Sequence, residues 1–130
     1  MRLTITTRLF GLPGGQQQWQ TQVVLPAPTV TVRELIACKI RQEVADYAAG
    51  RRPALSGEYL PPEALLRAVA AGGYRPGAVE EEVARAQDAF ARRAFMVVVD
   101  ERRVDDADAR LTLSPASRVE FIKILPLVGG

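Results

Sequence analysis

The first part of the chain alternates between apolar and polar residues. This alternation covers residues 2–9 and returns over residues 18–25, and a period of two is the pattern of a half-buried strand. Residues 11–15, Gly-Leu-Pro-Gly-Gly, supply turn chemistry between the two runs. We therefore predict an N-terminal β-hairpin, with one face of each strand directed into the core.

A helical pattern follows the hairpin. Thr31 and Glu34 have the spacing of a capping box, and apolar residues then recur three and four positions apart as far as Tyr47. Gly50 is a helix stop signal. These features predict a helix over residues 32–49.

Residues 50–93 differ from the strands on either side because they are rich in Ala, Arg and Glu. A short helix is predicted to begin near Pro62, since proline is favoured in the first turn. Residues 72–77 contain three glycines and a proline, which end that helix. Apolar residues at helical spacing predict a second helix over residues 78–93.

The last third returns to strand patterns. Residues 95–99 form an unbroken apolar run, which predicts a central strand covered on both faces. A short strand is predicted at residues 111–113 and a final strong strand at residues 118–125. The pattern as a whole predicts an α+β protein with a single domain over residues 1–130, in which two helices are inserted at about residues 50–93.

Composition and charge narrow the range of functions. A net charge of +2 is too small to argue for nucleic-acid binding, and no apolar run approaches the roughly 20 residues that cross a bilayer. One cysteine and the lack of a signal-peptide pattern favour a cytoplasmic protein. Without histidine, the commonest general base and metal ligand are missing. We therefore expect no catalytic residues, no metal and no bound cofactor.

Five segments carry a family pattern in their order along the chain. They are Leu3-Thr4-Ile5 with Leu9-Phe10-Gly11, Val97-Val98-Val99-Asp100 with the acidic turn at 105–106, Leu111-Thr112-Leu113, Arg118-Val119-Glu120-Phe121, and Leu125-Pro126-Leu127-Val128-Gly129-Gly130. Together they resemble the MoaD/ThiS branch of ubiquitin-like proteins. The resemblance implies a β-grasp fold, a mixed sheet packed on one main helix. The two-helix insertion points toward the ubiquitin-like proteins of bacterial conjugation operons.

The resemblance also implies what the tail does. In this family an E1-like enzyme uses ATP and Mg²⁺ to adenylate the terminal carboxylate. Here the activated C-terminus is Gly129-Gly130, and the carboxylate is that of Gly130. Glycine suits a narrow enzyme cleft because it has no Cβ. We expect Pro126, Leu127 and Val128 to lie extended against the partner.

The final strand provides a second expected contact. Val119 and Phe121 are predicted to face the core, which leaves Ile122 and Ile124 on the opposite face. An exposed apolar patch there would be a partner surface. The alternative is that the inserted helices or a neighbouring subunit cover this face.

Several functions of the chain remain possible from the sequence. The first is a protein modifier joined to target proteins, with an E1-like enzyme and also an E2-like enzyme and a deconjugating protease as partners. The second is a sulfur carrier that ends in a thiocarboxylate, and the third is a non-covalent β-grasp binding module. An autonomous enzyme comes last. A homo-oligomer could form through the insertion.

Lysine usage bears on the first of these functions. The chain has two lysines, Lys39 and Lys123, against fifteen arginines. If both are partly occluded, a modifier of this sequence forms single attachments or short chains.

Overall fold

Seven strands and three helices follow one another in residues 1–126, the part of the chain that the computed structural model describes. The strands are β1 (Arg2–Phe10), β2 (Gln17–Val24), β3 (Thr29–Thr31), β4 (Met96–Val99), β5 (Arg102–Val104), β6 (Arg110–Thr112) and β7 (Val119–Ile124). The helices are α1 (Val32–Ala48), α2 (Pro62–Ala70) and α3 (Val79–Ala91).

Five of the strands form one mixed sheet in the order β2-β1-β7-β4-β5. Strands β1 and β7 run parallel, with Ile5 opposite Val119, whereas the other neighbours are antiparallel. Strands β3 and β6 form a separate two-stranded sheet. The predicted α+β class is confirmed, with β7 as the middle strand of the main sheet.

The alternation of apolar and polar residues in the N-terminal hairpin arises because one face of each strand is directed into the core, as predicted. Leu3, Ile5 and Leu9 are buried on the inner face of the sheet, and Val23 of β2 joins them in the same core. The side chains between them lie on the outer face and are partly or fully exposed.

Helix α1 covers this inner face and confirms the predicted helix. The Thr31 hydroxyl accepts a hydrogen bond from the backbone N–H of Glu34 at 3.1 Å, which caps the first turn. At the other end Gly50 adopts a φ of 75°. The N–H of Arg51 then bonds to the carbonyl of Asp46 at 2.8 Å, as in a Schellman motif.

Residues 50–93, the helical segment, pack on the same side of the sheet as α1. Helix α3 lies along α1 and buries Val83, Ala86 and Phe90, while α2 buries Leu65. Both predicted helices are confirmed within two residues at their starts and ends. None of the helices in residues 1–126 is long and apolar enough to cross a membrane.

One expectation about a strand is wrong in part. Strand β4 is an interior strand between β7 and β5, but it is not covered on both faces, because only Val97 among its four residues is buried. Strands β3 and β5 were not predicted, since each has only three residues and β5 contains two arginines. Asp100 and Glu101, both with positive φ, make the tight turn from β4 to β5.

Candidate functional site

Strand β7 sends alternate side chains to the two faces of the sheet, as predicted. Val119 and Phe121 are buried in the core, and the Phe121 ring stacks on that of Phe95 with 5.6 Å between their centroids. Ile122 and Ile124 lie on the opposite, outer face, and Ile124 is 60% exposed.

Two neighbouring strands extend this apolar surface. Phe10 of β1 pairs with Ile124, and Met96 of β4 pairs with Ile122, so all four side chains share the outer face. We call these four residues the outer patch: Phe10, Met96, Ile122 and Ile124. Because the helices pack on the inner face, the helical segment does not cover Ile124, contrary to one of the alternatives raised by the sequence.

Charged side chains border the outer patch. Arg8, the β1 partner of Ile122, pairs with Glu120 through its Nε at 2.8 Å, and Arg118 approaches the same carboxylate at 3.5 Å. These pairs contribute little to stability because they are partly exposed. An apolar centre with a charged border is the usual anatomy of a protein–protein interface.

The chain is held firmly where β7 ends. The N–H of Leu125 donates to the carbonyl of Phe10 at 2.9 Å, and Leu125 is buried. Gly11 has a φ of 83°, and a Cβ at this position would lie 2.6 Å from the carbonyl oxygen of Leu125. Only glycine permits this approach, so the turn after β1 fixes the backbone just before the predicted tail.

A cavity of about 260 Å³ adjoins this point. The β1–β2 turn, α2 and the end of β7 all line it, through Gly11, Leu12, Pro13, Pro62, Leu66, Leu125 and Pro126. Helix α2 therefore borders the chain where the tail begins. Nothing in the sequence pattern indicated this contact, because α2 and Leu125 are far apart along the chain.

The structure describes three of the predicted site residues. Ile122 and Ile124 lie together in the outer patch, and Pro126 is exposed at the base of the tail. The other four, Leu127, Val128, Gly129 and Gly130, lie outside the described residues, so their predicted roles are untested.

Sequence reasoning missed the other half of the outer patch. Phe10 continues the outer parity of β1 and could have been found by extending that alternation by one step. Met96 was hidden because its apolar run shows no alternation.

No protein-family model matches the chain, and no curated protein or solved structure matches it.

Both lysines are buried, which goes further than the partial occlusion considered from the sequence. Lys39 is fully buried, and its Nζ lies 2.6 Å from Glu43, 2.6 Å from Glu58 and 2.9 Å from the Ser56 hydroxyl. Lys123 is 5% exposed and donates to the carbonyl of Ala94 at 2.7 Å. Burial lowers the pKa of Lys123, because the charged form is disfavoured away from water.

Lys39 belongs to a buried ion cluster that joins α1 to the start of the helical segment. Its members are Lys39, Glu43, Arg52, Ser56 and Glu58, with Thr21 of β2 donating to Glu43. Burial acts to raise the pKa of Glu43, but the charges of Lys39 and Arg52 outweigh it and hold that pKa below its ordinary value.

A second buried carboxylate fixes the loop between α2 and α3. Glu82 accepts hydrogen bonds from the hydroxyls of Tyr59 at 2.9 Å and Tyr74 at 2.8 Å, and from the N–H of Gly77 at 2.8 Å. Burial and the neighbouring Glu82 raise the pKa of Tyr74 to about 12. In residues 1–126 no group of three or more acidic or cysteine side chains is arranged to hold a metal ion.

Proposed function

We propose that this chain is a ubiquitin-like protein of β-grasp fold, whose C-terminal carboxylate at Gly130 is activated and joined to target proteins. The observation that carries the proposal is the position of the tail. In the sequence it follows Leu125 and Pro126, which come directly after β7, the middle strand of the sheet, and the outer face of β7 carries an exposed apolar patch. The order of elements supports the fold, because a hairpin, then a helix, then further strands packed on that helix is the β-grasp order.

The chemistry starts from a carboxylate, which is a poor electrophile. An E1-like enzyme would transfer AMP from ATP to the Gly130 carboxylate with Mg²⁺ present, releasing pyrophosphate. A target amine then attacks the activated carbonyl, forming an amide and releasing the leaving group. An E2-like enzyme and a deconjugating protease would act before and after this step. The proposal places these reactions in the cytoplasm, where ATP is available.

The outer patch supplies the docking surface in this proposal. Ile122 and Ile124 project from the strand that leads into the tail, so an enzyme bound there holds the tail at a fixed distance from its own nucleotide. Exposed apolar residues with a charged border suit such a contact. The close approach of Gly11 to the backbone of Leu125, which we call the clamp, fixes Leu125 relative to this surface.

The buried lysines favour single attachments. A lysine must reach an activated carboxylate as a free amine, and the Nζ atoms of Lys39 and Lys123 are both held inside the fold. The chain therefore presents no ready lysine acceptor for a second copy of itself, and its conjugates should contain one copy at each target lysine.

Mass spectrometry on protein recovered from its host under denaturing conditions tests the proposal. A modifier leaves Gly130 joined to lysines of other proteins, and these adducts are absent for a variant that lacks Gly129 and Gly130. An unmodified carboxylate under all growth conditions would instead leave a non-covalent binding module.

A second candidate is a sulfur carrier, which the resemblance of residues 97–106 and 118–121 to the MoaD/ThiS branch favours. The same experiment separates the two, because a sulfur carrier shows an oxygen-to-sulfur mass increase on the free protein and no adducts.

The docking role of the outer patch has its own test with a matched control. Ile124→Glu should lower the yield of adducts roughly five- to thirtyfold, the range for losing an interface residue worth about 1–2 kcal/mol. Val24→Glu is the control, because Val24 is also on the outer face and 61% exposed. It lies opposite Arg2 at the start of β1, whereas Ile124 lies opposite Phe10 at the end of β1. Equal yields from the two variants would place the docking surface elsewhere.

A further inference from the structure

The two edges of the main sheet are built differently. The β5 edge has three residues, and two of them are Arg102 and Arg103. A short strand with charged side chains discourages pairing with another chain. Strand β2, at the other edge, has eight residues with neither a charge nor a proline among them. One edge is protected and the other is not.

The β2 edge is also accessible. In residues 1–126 β2 pairs with β1 alone, and no further backbone hydrogen bond joins it to another segment. A groove of about 500 Å³ runs beside it. Strand β2 forms one wall and the end of α1 the other, through Arg2, Gln20, Gln22, Val24, Gln42, Asp46 and Arg51.

The side chains on this edge strand are complementary to themselves. Gln18, Gln20 and Gln22 are all exposed on the outer face. A primary amide both donates and accepts hydrogen bonds, so in an antiparallel pair of two β2 strands amide meets amide. Because the strand is uncharged, two copies do not repel each other, whereas two β5 strands would bring arginines together.

We propose that the chain forms a twofold dimer in which β2 pairs antiparallel with β2 of a second copy, joining the two sheets into one. Antiparallel pairing of identical strands is a closed, self-complementary arrangement. The dimer leaves β7 and the outer patch free, because β1 separates β2 from β7. It therefore goes beyond the proposed function and would present two tails from one assembly.

Sedimentation equilibrium over a wide range of protein concentration tests this proposal on the full chain. The parent should pass from monomer to dimer as concentration rises. Gln20→Lys with Gln22→Lys places like charges across the edge and should raise the dimer dissociation constant at least about tenfold. Thr4→Lys with Thr6→Lys is the control, since these residues pair with Gln22 and Gln20 on the same face of β1, and it should dimerise as the parent does.

Hydrogen exchange locates the interface independently. The backbone amides of β2 should gain protection as the dimer forms, whereas those of β5 should not. A parent that stays monomeric at every concentration overturns the proposal, as does a dimer that survives the two glutamine substitutions. Equal weakening by the threonine control, or protection gained only outside β2, would also overturn it.

Discussion

Lys39→Met probes what holds the helical segment onto α1. The substitution removes the cation that lies 2.6 Å from both Glu43 and Glu58. Glu43 keeps Arg52 at 3.8 Å and hydrogen bonds from Ser56 and Thr21. Glu58 keeps no cation within salt-bridge distance in residues 1–126, and its Oε2 already lacks a hydrogen-bond partner there. The loss of stability therefore arises mainly from Glu58, whose buried charge is left without a cation.

The size of the effect follows from the complete burial of both side chains. Removing one partner of a buried ion pair costs about 3–5 kcal/mol, because the remaining charge is buried without compensation. Unfolding a chain of this length carries an entropy of about 0.27 kcal/mol per kelvin near the midpoint. We therefore expect Lys39→Met to lower the thermal midpoint by roughly 11–18 °C.

Urea and thermal unfolding followed by circular dichroism measure this loss. Arg41→Met is the matched control, because Arg41 lies on the same helix and pairs with Glu80 at 3.0 Å on the surface. Exposed pairs contribute little, so its midpoint should hardly change. Adding Glu58→Met to Lys39→Met removes the uncompensated charge and should recover most of the stability. If Lys39→Met is as mild as Arg41→Met, or the double variant is no better than the single one, the reasoning is wrong.

Three further predictions concern the clamp and the two lysines. Gly11→Ala should lower the free energy of unfolding by more than Gly14→Ala in urea titrations: both positions have positive φ, but only the Cβ at Gly11 meets Leu125. Equal losses of unfolding free energy would show that the approach of Gly11 to Leu125 does not stabilise the fold. Burying charged Lys123 carries a penalty that should decrease as pH rises from the lowered pKa of the folded state toward the ordinary 10.5. The parent should therefore gain stability relative to Lys123→Met over that pH range. A difference in the free energy of unfolding that stays constant from pH 7 to 10.5 would contradict this. An amine-acetylating reagent should leave Lys39 and Lys123 unmodified under native conditions and should modify both in urea, as measured by peptide mass spectrometry. Rapid acetylation of either lysine under native conditions would contradict their burial.

Local signals in the sequence were sufficient for most of the helices and strands. The alternation of β1 and β2 predicted which residues face the core, and Thr31 and Gly50 marked the ends of α1. These features could be predicted because each depends on residues a few positions apart. The burial of Val119 and Phe121 followed from the same kind of alternation.

Features that depend on distant contacts could not be predicted in this way. The parallel pairing of β1 with β7 joins residues more than a hundred positions apart. This pairing places β7, and not β4, in the middle of the five-stranded sheet. Lys39 and Glu43 look like ordinary surface charges of a helix, and only Glu58 and Arg52 from another segment explain their burial. The same limit applies to α2, because Leu66 and Leu125 line one cavity although they are far apart along the chain.

The middle strand of the main sheet is also the last of the seven strands in chain order within residues 1–126. Until residues 119–124 have emerged, β1 and β4 lack the strand that lies between them. The loop that β7 must close with β1 spans more than a hundred residues. A nascent or truncated chain that stops before β7 cannot complete the sheet. The main sheet is therefore completed only after residues 119–124 have joined it, so a chain that has not yet gained this strand lacks the contact that links β1 to β4.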